Sequence, residues 1–267
     1  MQDVQIGIHD LYNAAAAAVS QDSALPPYMN HGYWTLSTRD QHQASENLMR
    51  RIVEGIKVRR GDSNCFNERI LDVGCGLGGN AHYLSQHWAS NNVHGINITE
   101  PQLDVCKKVA PGCHFNKMDA TNLDYPSEFF GSIICIEAAF QFRTREKFLK
   151  EAYRVLKPGG ILALTDALLI REAHFEPHKF IEHHPPENYV PTVSAYRSIV
   201  ESCEFLECSA TDITEEGAQS FFRFAVSDLH EKWAEGTLPL NSLLQQLDSL
   251  YLVDCTLSRE LLCFATK

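Results

Sequence analysis

The chain lacks any run approaching the roughly 20 apolar residues that a membrane-spanning helix needs, so no membrane span is expected. It also lacks a Cys-x-x-Cys pair: its nine cysteines are scattered, and several, such as Cys75, Cys106 and Cys135, fall in or beside apolar runs. An odd number so placed argues against a disulfide framework and for reduced, buried thiols and a cytoplasmic location. Positive charge is short as well, with 23 basic against 34 acidic residues and a formal charge of -11. Such a surface repels polynucleotides and anionic membranes over most of its area, so no nucleic-acid partner is expected. Internal repeats and low-complexity tails are missing. A basic leader is missing before the alanine run at 14–18, which follows Asp3 and Asp10 and reads as part of a helix over 5–19 rather than a signal-peptide core.

What is present is enough apolar material, 44% of 267 residues, for one sizeable core. Pro26 and Pro27 end the first helical stretch, and Gly32-Tyr33-Trp34 sets two large aromatics beside a glycine on a loop. Residues 41–58 place Ala44, Leu48, Ile52, Val53 and Ile56 at helical spacing. From there strands and helices alternate. Strands are expected at 69–73, 93–98, 113–117, 130–137, 161–165 and 205–211, and helices at 80–88, from Thr99 onward, at 143–156 and at 192–203. Residues 212–250, rich in aromatics such as Phe221, Phe222, Phe224 and Trp233, read as a helical insertion, and 251–256 and 261–266 as strand material. The expected fold is α/β, a Rossmann-like, mostly parallel seven-stranded sheet with an antiparallel last strand. The expected organisation is a single domain: 1–60 N-terminal cap helices, 61–211 core, 212–250 lid and 251–267 final strands.

Residues 69–80, Arg-Ile-Leu-Asp-Val-Gly-Cys-Gly-Leu-Gly-Gly-Asn, organise the rest. A short apolar strand runs into glycines, where a ligand can lie on bare backbone at Gly74 and Gly76, and Gly78 with Gly79 lets the next helix start close against the strand. Gly74, Gly76 and Gly79 also satisfy G-x-G-x-x-G, which raises a dinucleotide site. Asp72, two residues before the first glycine, turns the reading away from it. The string resembles the first motif of class I S-adenosylmethionine methyltransferases of the small-molecule, natural-product and lipid type. The stretch from Glu151 through Lys157-Pro158-Gly159-Gly160 to Asp166 resembles a later motif of that family, so the likeness covers about 70–166.

The resemblance implies S-adenosylmethionine as cofactor, held by Asp72, Gly74, Cys75 and Gly76. Tyr33 and Trp34 would close near its methionine end, Asn97 and Gln102 would reach the ribose, and Asp119 with the backbone of Ala120 would hold the adenine. Asn97 stands where the family usually has a carboxylate. The stretch from Ile136 to Phe142 should border both cofactor and substrate, because ligands bind at the carboxyl ends of parallel strands. The implied reaction is methyl transfer to an O, N or C atom of a small organic acceptor, in part apolar or aromatic. Glu137, Asp166 and a histidine from the loop after Asp166 are candidate bases, and Gln141, which cannot take a proton, is an orienting group. A second reading is a cofactor-binding protein that has lost transfer and cyclises or folds a small substrate. A nicotinamide oxidoreductase is disfavoured by Asp72, Asn97 and Asp119 together. Four histidines within 171–191 invite a metal reading, but there is no His-Glu-x-x-His and Pro177, Pro185 and Pro186 favour an irregular loop, so no metal site is expected.

Overall fold

The computed structural model describes residues 27–61, 63–170 and 186–267. The helix expected at 5–19 and most of the histidine-rich loop lie outside the described residues. Helix α1 (Gln41–Arg60) starts at Asp40, whose carboxylate accepts from the Gln43 amide at 2.8 Å, and stops at Gly61 in a left-handed turn. Its buried face carries the residues whose spacing foretold it, Ala44, Leu48, Ile52, Val53 and Ile56.

Seven strands follow: β1 (Ile70–Val73), β2 (Val93–Asn97), β3 (His114–Lys117), β4 (Phe130–Ile136), β5 (Leu156–Leu169), β6 (Leu206–Asp212) and β7 (Leu257–Thr266). They form one sheet in the order β3-β2-β1-β4-β5-β7-β6, with β7 antiparallel to both neighbours and the other pairs parallel. Helices α2 (Gly79–Leu84), α3 (Glu100–Val109), α4 (Arg145–Val155) and α5 (Val193–Ser202) alternate with the strands. After β6 come α6 (Ser220–Ala234) and α7 (Leu240–Asp254). One face of the sheet packs with Phe148, Leu149, Ala152, Tyr196 and Val200 of α4 and α5, the other with Leu48, Met49, Ile52 and Leu84 of α1 and α2. The strand order reverses between β1 and β4, which opens a crevice at their carboxyl ends. Among the described residues no helix is long and apolar enough to cross a membrane.

Three expectations change. The helix expected at 80–88 is the six-residue α2. Strand β5 absorbs Lys157-Pro158-Gly159-Gly160, because the chain end pairs with it: the Gly159 amide donates to the Lys267 carbonyl at 2.8 Å and the Lys267 amide to the Gly160 carbonyl at 3.0 Å. Residues 251–254 are helical, not strand; α7 runs on, and its Tyr251 and Val253 carbonyls accept from the amides of Cys255 and Thr256. The helical stretch after β6 therefore extends past the expected boundary at 250.

Helix α1 rests on the sheet through one tight contact. A Cβ at Gly55 would lie 2.3 Å from the Phe264 ring, which also carries the Arg59 guanidinium 4.1 Å from its centroid. Gly55→Val should overpack this contact and cost about 1–3 kcal/mol, and Phe264→Ala should empty it and cost about 3–5 kcal/mol. Denaturant unfolding of both variants checks the pair. Wild-type midpoints would mean that this contact does not hold the helix.

Candidate active site

The turn after β1 is stitched to the end of β2. The amides of Gly74 and Cys75 both donate to the Ile96 carbonyl, at 3.0 and 3.1 Å. Gly74 and Gly76 have φ of 74° and 51°, a region that disfavours side chains. Gly78 and Gly79 serve contacts other than the expected one with the strand: a Cβ at Gly78 would lie 2.9 Å from the Cys106 backbone of α3, and one at Gly79 would lie 2.4 Å from the Pro27 carbonyl. The turn is thereby wedged between α3 and the segment preceding α1.

A cavity of about 460 Å³ opens over this turn. It brings together Gly74, Cys75, Gly76, Asn97, Gln102, Asp119, Ala120, Ile136, Glu137 and Gln141 from the sequence-derived set. The size suits a cofactor-sized ligand. Asn97 Nδ2 donates to Gln102 Oε1 at 2.7 Å, so the two amides form one polar edge at the end of β2. Asp119 Oδ1 accepts from the Thr121 amide and hydroxyl, both at 2.8 Å, so this residue braces its own turn while lining the cavity.

Asp72 lies beneath the turn. It is fully buried, and neither carboxyl oxygen has a hydrogen-bond partner among the described residues. Burial pushes its carboxyl up to about 7, with the Asn80 side chain working against the rise. Asp72 does not itself line the cavity, contrary to the expected cofactor contact; what the turn offers an elongated ligand such as S-adenosylmethionine is the bare backbone of residues 74–76.

Tyr33 and Trp34 do not line the cavity. The Tyr33 ring lies under the Arg51 guanidinium at 4.1 Å and packs with the α1 and α2 core, while Trp34 lies against Phe224 of α6 at 4.8 Å. Tyr28, Met29 and Asn30 close that side instead. Their only sequence signal was their place directly after the proline pair. Asp166 is also displaced from its expected role. It is fully buried, accepts from the amides of Phe140 and Ala167 at 2.9 Å each, and pairs with Arg145 Nε at 2.6 Å. Arg145 bonds the Asn188 carbonyl, and Asn188 Nδ2 donates to the Phe142 carbonyl at 2.6 Å. Burial disfavours the Arg145 charge, but Asp166 outweighs it and the guanidinium is raised above its ordinary value. Asp166 fixes the turn that carries Gln141 and offers no free carboxylate to the cleft.

Glu137 does face the cleft, and it has partners that the sequence did not reveal. It sits just past β4 with φ 48°, a left-handed conformation uncommon for a residue with a side chain. Its Oε1 accepts from the His31 amide at 2.8 Å, and its Oε2 lies 3.3 Å from His31 Nδ1. His31 Nδ1 is also 3.2 Å from Glu260 Oε2 on β7. Burial pushes both carboxyls up to about 8; His31 opposes the rise at Glu137, and the Ala218 amide opposes it at Glu260. A second cavity of about 140 Å³ adjoins the first through Met29, Glu137 and Gln141, and is otherwise lined by His31, Phe140, Ala167, Leu169, Val253, Thr256 and Leu257.

Comparison with known proteins agrees with this geometry. Residues 71–164 match a family described as a methyltransferase domain. The chain is 28% identical over 147 residues to erythromycin 3''-O-methyltransferase of Saccharopolyspora erythraea, covering 53% of this chain and 46% of that one. It is 32% identical over 154 residues to 27-O-demethylrifamycin SV methyltransferase of Amycolatopsis mediterranei, covering 53% and 52%. The chain thus spans about half the length of the curated relatives it matches. The solved structure of the [4+2]-cyclase SpnF superposes with a TM-score of 0.70 over 97% of this chain and 94% of that chain at 19% identity, a likeness of fold.

Breaking the buried Arg145–Asp166 pair from one side leaves an uncompensated charge, which costs about 3–5 kcal/mol. Arg145→Met should therefore lower the melting temperature sharply, by more than Lys150→Met at the exposed Lys150–Glu146 pair. Equal melting temperatures for the two variants would remove the structural role given to Asp166.

Proposed function

We propose, from the methyltransferase domain at residues 71–164, that this chain transfers a methyl group from S-adenosylmethionine to an O, N or C atom of a small organic acceptor. The observation that carries the reading is the large cavity. A glycine turn over buried Asp72, a paired Asn97 and Gln102, and Asp119 with Ala120 line one continuous wall, as a long ligand with three chemically different parts requires. Bound there, S-adenosylmethionine would supply an electrophilic methyl group on a sulfonium. Gly74, Cys75 and Gly76 would hold it on backbone, and Asp119 and Ala120 would take the adenine end.

The chain's own contribution to rate is then alignment in a water-poor cleft, with the reacting atoms held by the turn on one side and the end of β4 on the other. Glu137 borders both cavities and is the residue suited to take a proton, with Gln141 beside it as an orienting amide. The smaller cavity, with Phe140, Leu169, Val253 and Leu257 in its wall, supports an acceptor that is partly apolar. Part of that wall comes from α7 and the residues after it, which supports reading 212–254 as a lid over one core domain. The curated relatives act on small molecules by their names, which favours the same acceptor class here. No disulfide joins the nine cysteines, which supports a cytoplasmic location.

The test is turnover of S-adenosylmethionine against chemically diverse small acceptors, read as S-adenosylhomocysteine formed and product mass. A product heavier by one methylene supports transfer; conversion of an acceptor without S-adenosylhomocysteine would replace it with the cyclisation reading. A binding prediction accompanies it. The atoms nearest a Cβ at Gly76 would be those of the Met29 side chain, at 3.6 Å, so Gly76→Val should fold with strain of about 1–2 kcal/mol from its positive φ. The added methyls would occupy the cradle and abolish S-adenosylmethionine binding by calorimetry. Near-native affinity in the folded variant would remove the turn from the cofactor site.

A further inference from the structure

Glu137, His31 and Glu260 come from three distant parts of the chain: the end of β4, the segment before α1, and β7. Core packing alone would not gather two acids and an imidazole at the border of two cavities, since each polar group has to be desolvated there. The side chains of Glu137 and Glu260 are 7% and 0% exposed, and an oxygen of each lies close to the same nitrogen, His31 Nδ1, at 3.3 and 3.2 Å. Two buried carboxylates gathered at one imidazole nitrogen cannot both be charged at ordinary cost. Around them His31 is the basic partner, while Asp166 and Asp212 add negative potential at Glu260. Asp212 is itself paired with Arg259, 3.2 Å away. The Ala218 amide donates to Glu260 Oε2 at 2.7 Å, and the rings of Phe221 and Phe222 pack on His31 at 5.0 and 5.5 Å, so α6 and the turn before it hold the group in place.

We propose that Glu137, His31 and Glu260 form one proton-accepting unit, in which Glu137 takes the proton of an acceptor hydroxyl while His31 and Glu260 set how strongly it does so. This rests on the methyl-transfer reading and narrows it to acceptors with an O–H that must be deprotonated. In the step, a lone pair on the acceptor oxygen forms the new C–O bond as the C–S bond breaks with its electron pair going to sulfur. The O–H proton passes to the Glu137 carboxylate. The form that accepts it is the one in which Glu137 is ionised, with His31 against its Oε2. A carboxylate raised toward the basic range is a stronger base for a hydroxyl than an ordinary one. Glu260 and His31 are positioning residues that act through Glu137.

Protein carrying ¹³C-labelled glutamate side chains is titrated by NMR, and the Glu137 signal is assigned by its loss in Glu137→Gln. The wild-type signal should titrate near pH 8. Glu260→Gln removes the acidic neighbour that raises Glu137 and should move the midpoint down by about one pH unit or more, whereas His31→Gln removes the group that opposes the rise and should move it up. The pH–rate limb with a hydroxyl acceptor from the turnover screen should follow the same two directions, with S-adenosylmethionine affinity unchanged. Should Glu260→Gln fail to fold, the upward shift in His31→Gln still decides the matter. A Glu137 midpoint in the ordinary carboxylate range, unmoved by either variant, overturns the unit. So does Mn²⁺ binding at micromolar concentration that Glu260→Gln abolishes, which would make the three groups a cation site. Absence of turnover with every acceptor would count against methyl transfer, and the titration would still decide whether the three groups act as one.

Discussion

The Ile96 carbonyl holds the amides of both Gly74 and Cys75, and the site depends on that double acceptance. It ties the turn leaving β1 to the end of β2, so the bare backbone of residues 74–76 faces the crevice rather than solvent. The positive φ angles of Gly74 and Gly76 make the tie possible, and the clearances at Gly78 and Gly79 let α3 and residues 27–28 press in behind it. The reversal of strand order between β1 and β4 supplies the space in front. Remove the tie and the cradle has no fixed shape, although the sheet beneath it could still form.

Three buried acids around this cleft are kept near neutrality by desolvation: Asp72 up to about 7, and Glu137 and Glu260 up to about 8. Their folded values lie above their ordinary ones, so the fold binds these protons more tightly than the unfolded chain does. The contribution to stability is complete below the ordinary carboxylate range and is lost as pH rises through about 7 to 8. At neutral pH these groups therefore lower stability relative to acid. A fold governed by packing alone would place apolar residues there, and the desolvated acids are better explained by chemistry in the cleft. The buried Arg145–Asp166 pair serves the opposite end: its opposite charges offset each other, and it immobilises the turn that carries Gln141.

The central strands β1, β2 and β4 were legible because they are short, buried, mostly apolar runs, and helix α1 because its apolar residues recur at helical spacing. The glycine turn, the amide pair at Asn97 and Gln102, and Asp119 were legible because they lie on consecutive strand ends, where sequence order and spatial order coincide. Tyr33 and Trp34 were misread because nothing local tells an aromatic that covers a ligand from one that seats a segment on its core. Asp166 was misread for a related reason: its partner Arg145 and their link to Asn188 are separated in sequence and joined only by packing. His31 and Glu260 were missed because 229 residues separate them, and only the insertion of β7 between β5 and β6 brings Glu260 to His31 and Glu137.

The central claim is that the glycine turn and the end of β4 form the two walls of one cofactor cleft. A crystal structure of the protein with S-adenosylhomocysteine tests it most directly. The account predicts the ligand along residues 74–76, its adenine at Asp119 and Ala120, its ribose at Asn97 and Gln102, and its sulfur directed toward Glu137. A ligand bound elsewhere, or one whose sulfur points away from Glu137 and the smaller cavity, would contradict it.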